Sequence, residues 1–211
     1  MTAATSRTTQ IYHLLVEELR VGTRKPGAAI SVKDAAQRFK VSPTPVREAL
    51  ERLVGEGVVM PCNDRTGFIV PRIGVRGFTS LTDSFCLLAD AAAMAVPLSS
   101  AMPVTDEIPD QTDAARATET VFDTVLRQCP NTVVIWMAMR LSTILAPYRA
   151  VEPELLTNWA EELYNLRIAL RQRGKARAAI RGYRRRRHLA AAAIVDRVEQ
   201  GAPSISNITG I

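Results

Sequence analysis

The stretch Val41-Ser-Pro-Thr-Pro-Val-Arg-Glu-Ala-Leu-Glu-Arg-Leu-Val54 decides the fold of the first third of the chain. Its apolar residues Val46, Ala49, Leu50 and Leu53 recur at spacings of three and four, which predicts a short helix with one buried stripe. Ser42 stands where an N-cap belongs. Pro43 and Pro45 fall where a helix start has N–H groups without partners, so their missing donors cost little. The exposed start then carries Thr44 and, one turn on, Arg47. Taken alone, any amphipathic helix with a solvated charged face reads this way. A first turn bearing a hydroxyl and an arginine also suits insertion into the major groove of DNA, and the flanking sequence favours that reading.

Upstream, Ser31-Val-Lys-Asp-Ala-Ala-Gln-Arg-Phe39 predicts a second short helix, with Ser31 and Asp34 spaced as in a capping box. Lys40-Val41 joins the two into a helix-turn-helix. Residues 9–21, with apolar positions 11, 14, 15, 16 and 19, predict a supporting helix that stops at Gly22. Lys25-Pro-Gly27 then makes a tight turn. Downstream, Gly55 and Gly57 end the central helix. Residues 58–60 and 67–70 read as two strands around the polar turn Pro61-Cys-Asn-Asp-Arg-Thr66. Three helices followed by a two-stranded wing make a winged helix-turn-helix.

At this point the sequence resembles the GntR-type regulators. The resemblance rests on Pro26-Gly27, Val41-Ser42, Thr44-Pro-Val-Arg-Glu-Ala-Leu50, Leu53, Glu56-Gly57 and Gly67-Phe68 with Val70, in order and at the family spacing over positions 10 to 73. It implies DNA contacts from Lys33, Ser42, Thr44, Arg47, Arg65 and Gly67. One departure stands out. The family commonly places an arginine between the Ser/Thr cap and the next Thr, and here that position is Pro43, which has no side-chain donor for a base edge.

The chain has 211 residues and a formal net charge of +6. That length holds a winged head over 1–74, a second domain with its own core over 75–200 and a flexible tail over 201–211. Residues 1–76 hold 12 Lys/Arg against 7 Asp/Glu, so most of the excess positive charge lies in the head, where phosphates would meet it. The first residues lack a signal-peptide core and the apolar stretches are too short or interrupted to span a bilayer, so a cytoplasmic protein with no membrane partner is expected. The three cysteines form no CxxC pair, which suits a reducing compartment, with a redox sensor as the sharper alternative. Two histidines cannot build a zinc site alone. With no phosphate loop, nucleophile elbow or HExxH motif, no enzyme is expected.

From about 77 onward the pattern is helical throughout: residues 77–96, 112–128, 132–146, 154–172 and 175–198 each read as amphipathic helices bounded by proline, glycine or a polar cap. The fold class is therefore mainly α, a winged head followed by an all-α bundle. Arg140 falls on an apolar stripe with Val133, Trp136, Met137 and Ile144. A guanidinium there needs a partner, either a ligand anion or an acid such as Glu119 or Asp123. Trp136, Trp159, Tyr164 and Tyr183 read as pocket lining or as plain core. Arg171 to Arg187 contains nine basic residues and no acid. It reads as a solvated face, a DNA-backbone contact or a contact to the acid-rich segment 77–170.

An all-helical domain behind such a head resembles the FadR-like ligand-binding (FCD) domain. Many members of that family hold a metal with one aspartate and three histidines. Glu119-Thr-Val-Phe122-Asp123, with Asn131 downstream, fits the first frame, but Asp123 replaces the histidine. The other two histidines would fall near Leu163 or Tyr164 and near Tyr183, and neither is present. The expectation is a degenerate site with no metal and no cofactor. Glu119 and Asp123 share a helix face, as polar anchors of an effector pocket or as solvated acids. With Arg140 and Tyr183 they are the candidate effector-binding residues. The resemblance implies a homodimeric regulator, a repressor by expectation, on an inverted-repeat operator, tuned by a small-molecule effector. The alternative is a ligand-independent DNA-binding protein whose bundle only dimerises.

Overall fold

The computed structural model describes residues 6–62, 67–95 and 113–201. Arg65, the loop expected over 99–109 and the tail from 202 lie outside the described residues. The chain divides into two compact units, Met1–Arg72 grouped with Glu199–Ile211, and Ile73–Val198.

In the first unit, α1 (Arg7–Arg20) opens on Ser6, whose hydroxyl accepts the Thr9 N–H at 3.2 Å. It buries Ile11, Leu15 and Leu19, one residue per turn. Gly22 follows at φ +73°. At Lys25-Pro-Gly27 the Ala28 N–H returns to the Lys25 carbonyl at 2.9 Å and Gly27 takes φ +86°, a type II turn with proline and glycine where that turn needs them. The helices α2 (Val32–Phe39) and α3 (Pro43–Gly55) follow as expected.

The sheet has one strand more than the sequence predicted. β1 (Ala29–Ser31), β2 (Met60–Pro61) and β3 (Gly67–Ile69) form an antiparallel sheet in the order β1-β3-β2. Ile30 pairs with Phe68, and Met60 with Ile69. Three residues are too few to display an alternation, which is why β1 escaped the pattern. Val58 and Val59, expected in the wing, plug the core instead, and only Met60 joins the ladder. Pro61 is tolerated because β2 is an edge strand.

The second unit is built from α4 (Val75–Ala95), α5 (Ala114–Leu126), α6 (Thr132–Arg149), α7 (Glu152–Leu155), α8 (Trp159–Leu170), α9 (Arg173–Leu189) and α10 (Ala191–Gln200). α4 packs on α6 and α9, and α8 packs on α5 and α9. Two expected helices are broken in the structure. Asn158, at φ +55°, separates α7 from α8, and Ala190 separates α9 from α10. Conversely, α6 runs through Pro147 to Arg149 rather than ending near 146. Proline forfeits one ladder bond near the helix end, where buried Tyr148 and Arg149 hold the last turn in place. Among the described residues, no helix is long and apolar enough to cross a membrane.

Candidate nucleic-acid interface and the interior of the helical unit

The turn between α2 and α3 is fixed by Lys40, which takes φ 54° and ψ 49°, while the Val41 N–H bonds the Ala36 carbonyl at 3.0 Å. A left-handed lysine ends α2 without the glycine that usually does so. Val46, Ala49, Leu50 and Leu53 are fully buried, so the rotation of α3 about its axis is set. Thr44 and Arg47 then face solvent, as do Ser42 at the helix start and Lys33 at the start of α2. The other end of α3 is clamped to α1. Tyr12 donates to Glu56 at 2.8 Å, the Arg52 guanidinium lies 3.8 Å above the Tyr12 ring, and Thr8 donates to Glu48 at 2.7 Å.

Two details depart from expectation. Ser42 occupies the N-cap position of α3 but makes no side-chain capping bond. A capping serine bonds the N–H of the second or third helical residue, and the third is Pro45, which has none. Gly67 is held by the sheet, since a methyl there would sit 3.0 Å from the Ile30 carbonyl oxygen. Its requirement is thus met by strand packing before any DNA contact is considered. Lys40, exposed in the turn, was missed at the sequence level, because nothing in the helical period marks a left-handed residue.

Helix, turn, recognition helix and wing define a winged helix-turn-helix protein. Residues 7–70 match the family model of the bacterial regulatory proteins, gntR family. The HTH-type transcriptional regulator McbR of Escherichia coli K12 is 39% identical over 71 residues, which are 34% of this chain and 32% of that protein. The solved structure of E. coli McbR superimposes over 90% of this chain and 99% of its own, with TM-score 0.64 and 20% identity. A putative GntR transcriptional regulator from Rhodococcus sp. RHA1 covers 91% of this chain and 99% of its own, with TM-score 0.63 and 22% identity. At these identities the two structures show a shared fold of winged head and helical unit.

Inside the helical unit the expected effector residues do not converge. The stripe carrying Arg140 faces outward: Val133 is 59% and Trp136 53% exposed, with Met137 exposed beside them. Arg140 lies against the Trp136 ring at 5.9 Å. The buried face of α6 is the opposite one, Ala138, Ser142, Leu145 and Arg149. Asp123 pairs with Arg127 one turn along α5 at 2.7 Å rather than with Arg140. Glu119 is half-buried on the same helix. Tyr183 does enter the core, edge-on to Phe122 at 5.1 Å between centroids, and burial pushes its phenol up to about 12. Trp159 is core as well, whereas Trp136 is not.

The polar interior belongs to residues the sequence did not single out. Arg149, Glu152 and Arg187 are 2%, 1% and 1% exposed. Glu152 accepts from Arg187 twice, Nε at 3.2 Å and Nη2 at 2.6 Å, and from the Trp159 indole at 3.2 Å. Arg187 Nη1 reaches Glu162 at 2.7 Å, and its guanidinium covers the Tyr183 ring at 3.6 Å. The neighbouring carboxylates hold Arg187 still more firmly protonated than an ordinary arginine. Around it, Arg177 pairs with Asp90, Arg186 with Glu162 and His188 with Asp83. Within the basic run of α9, Arg177, Arg184, Arg186 and Arg187 are thus engaged by acids of their own unit. Only every third or fourth residue of the run points inward, and that is how Arg187 alone is buried within Arg184-Arg-Arg-Arg187.

The metal that the FadR-like resemblance implies does not fit these residues. Asp123 is engaged by Arg127, Leu163 and Tyr183 are apolar core, and Asn131 caps α6 by accepting from the Val133 and Val134 N–H groups. Among the described residues no group of three His, Cys, Asp or Glu side chains is placed to hold a metal ion.

Proposed function

We propose that this chain is a DNA-binding transcription regulator that acts on an inverted-repeat operator as a homodimer, with the helical unit as its dimerisation and effector-receiving part. The observation that carries the reading is the seating of α3, with four apolar residues buried and Thr44 and Arg47 held outward, within a stretch matched by the gntR family. Base contacts come from Thr44 and Arg47. Lys33, Lys40, Ser42 and the wing residue Arg65 serve the backbone. The matched relative is described as a transcriptional regulator, and repression in the cytoplasm is the expected mode. Two-fold pairing doubles the few base pairs one helix can read. The exposed apolar face of α6 supports a second copy there, since tryptophan, valine and methionine in one patch are costly to leave wet.

The subfamily resemblance to FadR-like domains stays with the overall helical plan. The second reading, a ligand-independent DNA-binding protein, is favoured by one observation: Glu152 and Arg187 fill part of the interior with the chain's own ion pair.

Selection of bound duplexes from a random pool, followed by titration of the preferred sequence at fixed salt, tests the proposal. Arg47→Ala is expected to cost about 1–3 kcal/mol on the selected sequence and much less on a scrambled one. Equal affinity of variant and parent for the selected sequence overturns the recognition-helix assignment. Repeating the selection with cell metabolites present separates the effector-dependent reading from the ligand-independent one.

A further inference from the structure

We infer that Glu51 is a sequence-reading residue of α3, its carboxylate accepting the exocyclic amino group of a cytosine in the major groove. The inference deepens the proposed DNA-binding role and rests on it: Thr44 and Arg47 bring α3 to the bases, and Glu51 sets one base more.

Position comes first. Val46, Ala49, Leu50 and Leu53 are buried and fix which side of α3 turns outward. Glu51 stands seven residues after Thr44 and four after Arg47, so the three share the opposite side over two successive turns. All three are exposed. A helix laid in the groove with Thr44 and Arg47 against the bases carries Glu51 into the same groove, about 10 Å along the axis from Thr44. Base pairs are stacked about 3.4 Å apart, so Glu51 meets a different pair from Thr44. Pro43, exposed at the helix start, brings no polar side-chain group to the groove, and reading passes to the later turns.

Pairing comes second. The other acids of α3 and its C-cap are taken: Glu48 accepts from Thr8 at 2.7 Å, and Glu56 is held by Tyr12 and Arg52. Glu51 has no hydrogen-bond or ion-pair partner among the described residues, not even Arg47 one turn before it. A bare carboxylate on the face that meets a polyanion weakens binding to every sequence, because phosphates repel it. Only a donor on the DNA offsets that repulsion.

The donors of the major groove are amino groups, N4 of cytosine and N6 of adenine. Adenine sets its N7 acceptor beside N6, and guanine and thymine present acceptors or a methyl group. A carboxylate accepts and cannot donate, so adenine N7 repels it and cytosine matches it.

The test is selection from a random duplex pool at one salt concentration, run with the full chain as parent, Glu51→Ala and Glu51→Gln. Glu51 is exposed and unpartnered, so both variants should keep the parent's melting temperature, which separates a change in binding from a change in folding. The parent should require cytosine at one position of each half-site, by about tenfold over the other bases. Glu51→Ala should accept all four bases there and bind scrambled duplexes more tightly. Glu51→Gln should exchange the cytosine for adenine, since an amide donates to N7 and accepts from N6. Cytosine retained by either variant overturns the inference. Tighter binding to all duplexes with no change of preference also overturns it, and Glu51 then only repels phosphate. Arg47→Ala in the same selection tells two failures apart. A parent that selects no sequence, or an Arg47→Ala variant that selects the parent's sequence, removes the reading role of α3 altogether. A preference that Arg47→Ala loses and both Glu51 variants keep removes only the assignment of Glu51.

Discussion

At the scale of single residues, the interior of the helical unit is governed by how each buried charge is matched. Glu152 is the hinge of that balance, because both of its oxygens serve Arg187 and one also serves Trp159. Removing a buried partner strands the other charge, so Glu152→Gln should destabilise the protein by about 3–5 kcal/mol, read from the urea unfolding midpoint. A loss below about 1 kcal/mol would mean that the pair is solvated in practice. The tyrosines add a pH dependence. Burial and the Glu56 carboxylate raise Tyr12 to about 12, and burial raises Tyr183 likewise. A phenol whose folded pKa is raised contributes stability that is whole below its unfolded value near 10 and is lost as pH climbs toward 12. Tyr12→Phe and Tyr183→Phe should accordingly flatten the alkaline loss of stability, whereas an unchanged alkaline profile in both would contradict the assignment. Burial also pushes the Cys86 thiol up to about 12, so Cys62, only partly buried, should react first with a thiol reagent while Cys86 waits for unfolding.

At the scale of elements, Gly27 is the position where one backbone conformation controls the most. Its φ of +86° suits glycine, and a methyl there would collide with the Arg72 side chain. Gly27→Ala should cost roughly 1–3 kcal/mol, with thermal unfolding as the measure, and a neutral result would show that the turn relaxes. Legibility in the sequence followed contrast. α3 was readable because its buried Val46, Ala49, Leu50 and Leu53 stand against a polar remainder. α6 was readable as a helix but not as an oriented one. Ala138, Ser142 and Leu145 lie inside while Val133, Trp136 and Met137 lie outside, so apolar residues mark both faces and the helical period alone does not tell the stripe with Arg140 from the inner one. β1 is too short to carry a period. The polar interior was hidden for another reason. Arg149 ends a helix where a cation usually meets water and the helix dipole, and Arg187 sits in a run of identical residues. Only the packing of α4 and α9 distinguishes them from their exposed neighbours.

At the scale of the whole molecule, in the proposed regulator the two units carry separable duties, and the basic head is the part that meets DNA. Operator affinity should fall steeply with salt. Lys33→Ala or Lys40→Ala should each lower the slope of log affinity against log salt by about 1 while leaving sequence preference in place. An unchanged slope would remove that lysine from the interface. If two copies pair through the exposed face of α6 as proposed, Trp136→Glu should shift the protein from dimer to monomer in sedimentation without loss of helical signal, and a variant that stays dimeric would place the pairing surface elsewhere. The order in which the helical unit is completed has a consequence for its synthesis. Its closing bonds come late in the chain, with α9 bringing Arg177 to Asp90 on α4 and Arg187 to Glu152 and Glu162. A ribosome therefore releases a winged head that already has every residue of its own core from Ile11 to Val70, while α4, α5 and α6 must wait, apolar faces open, until Arg187 clears the exit tunnel. Translation speed through the segment after residue 149 thus bears on the yield of this protein, and chaperone demand should track the helical half alone.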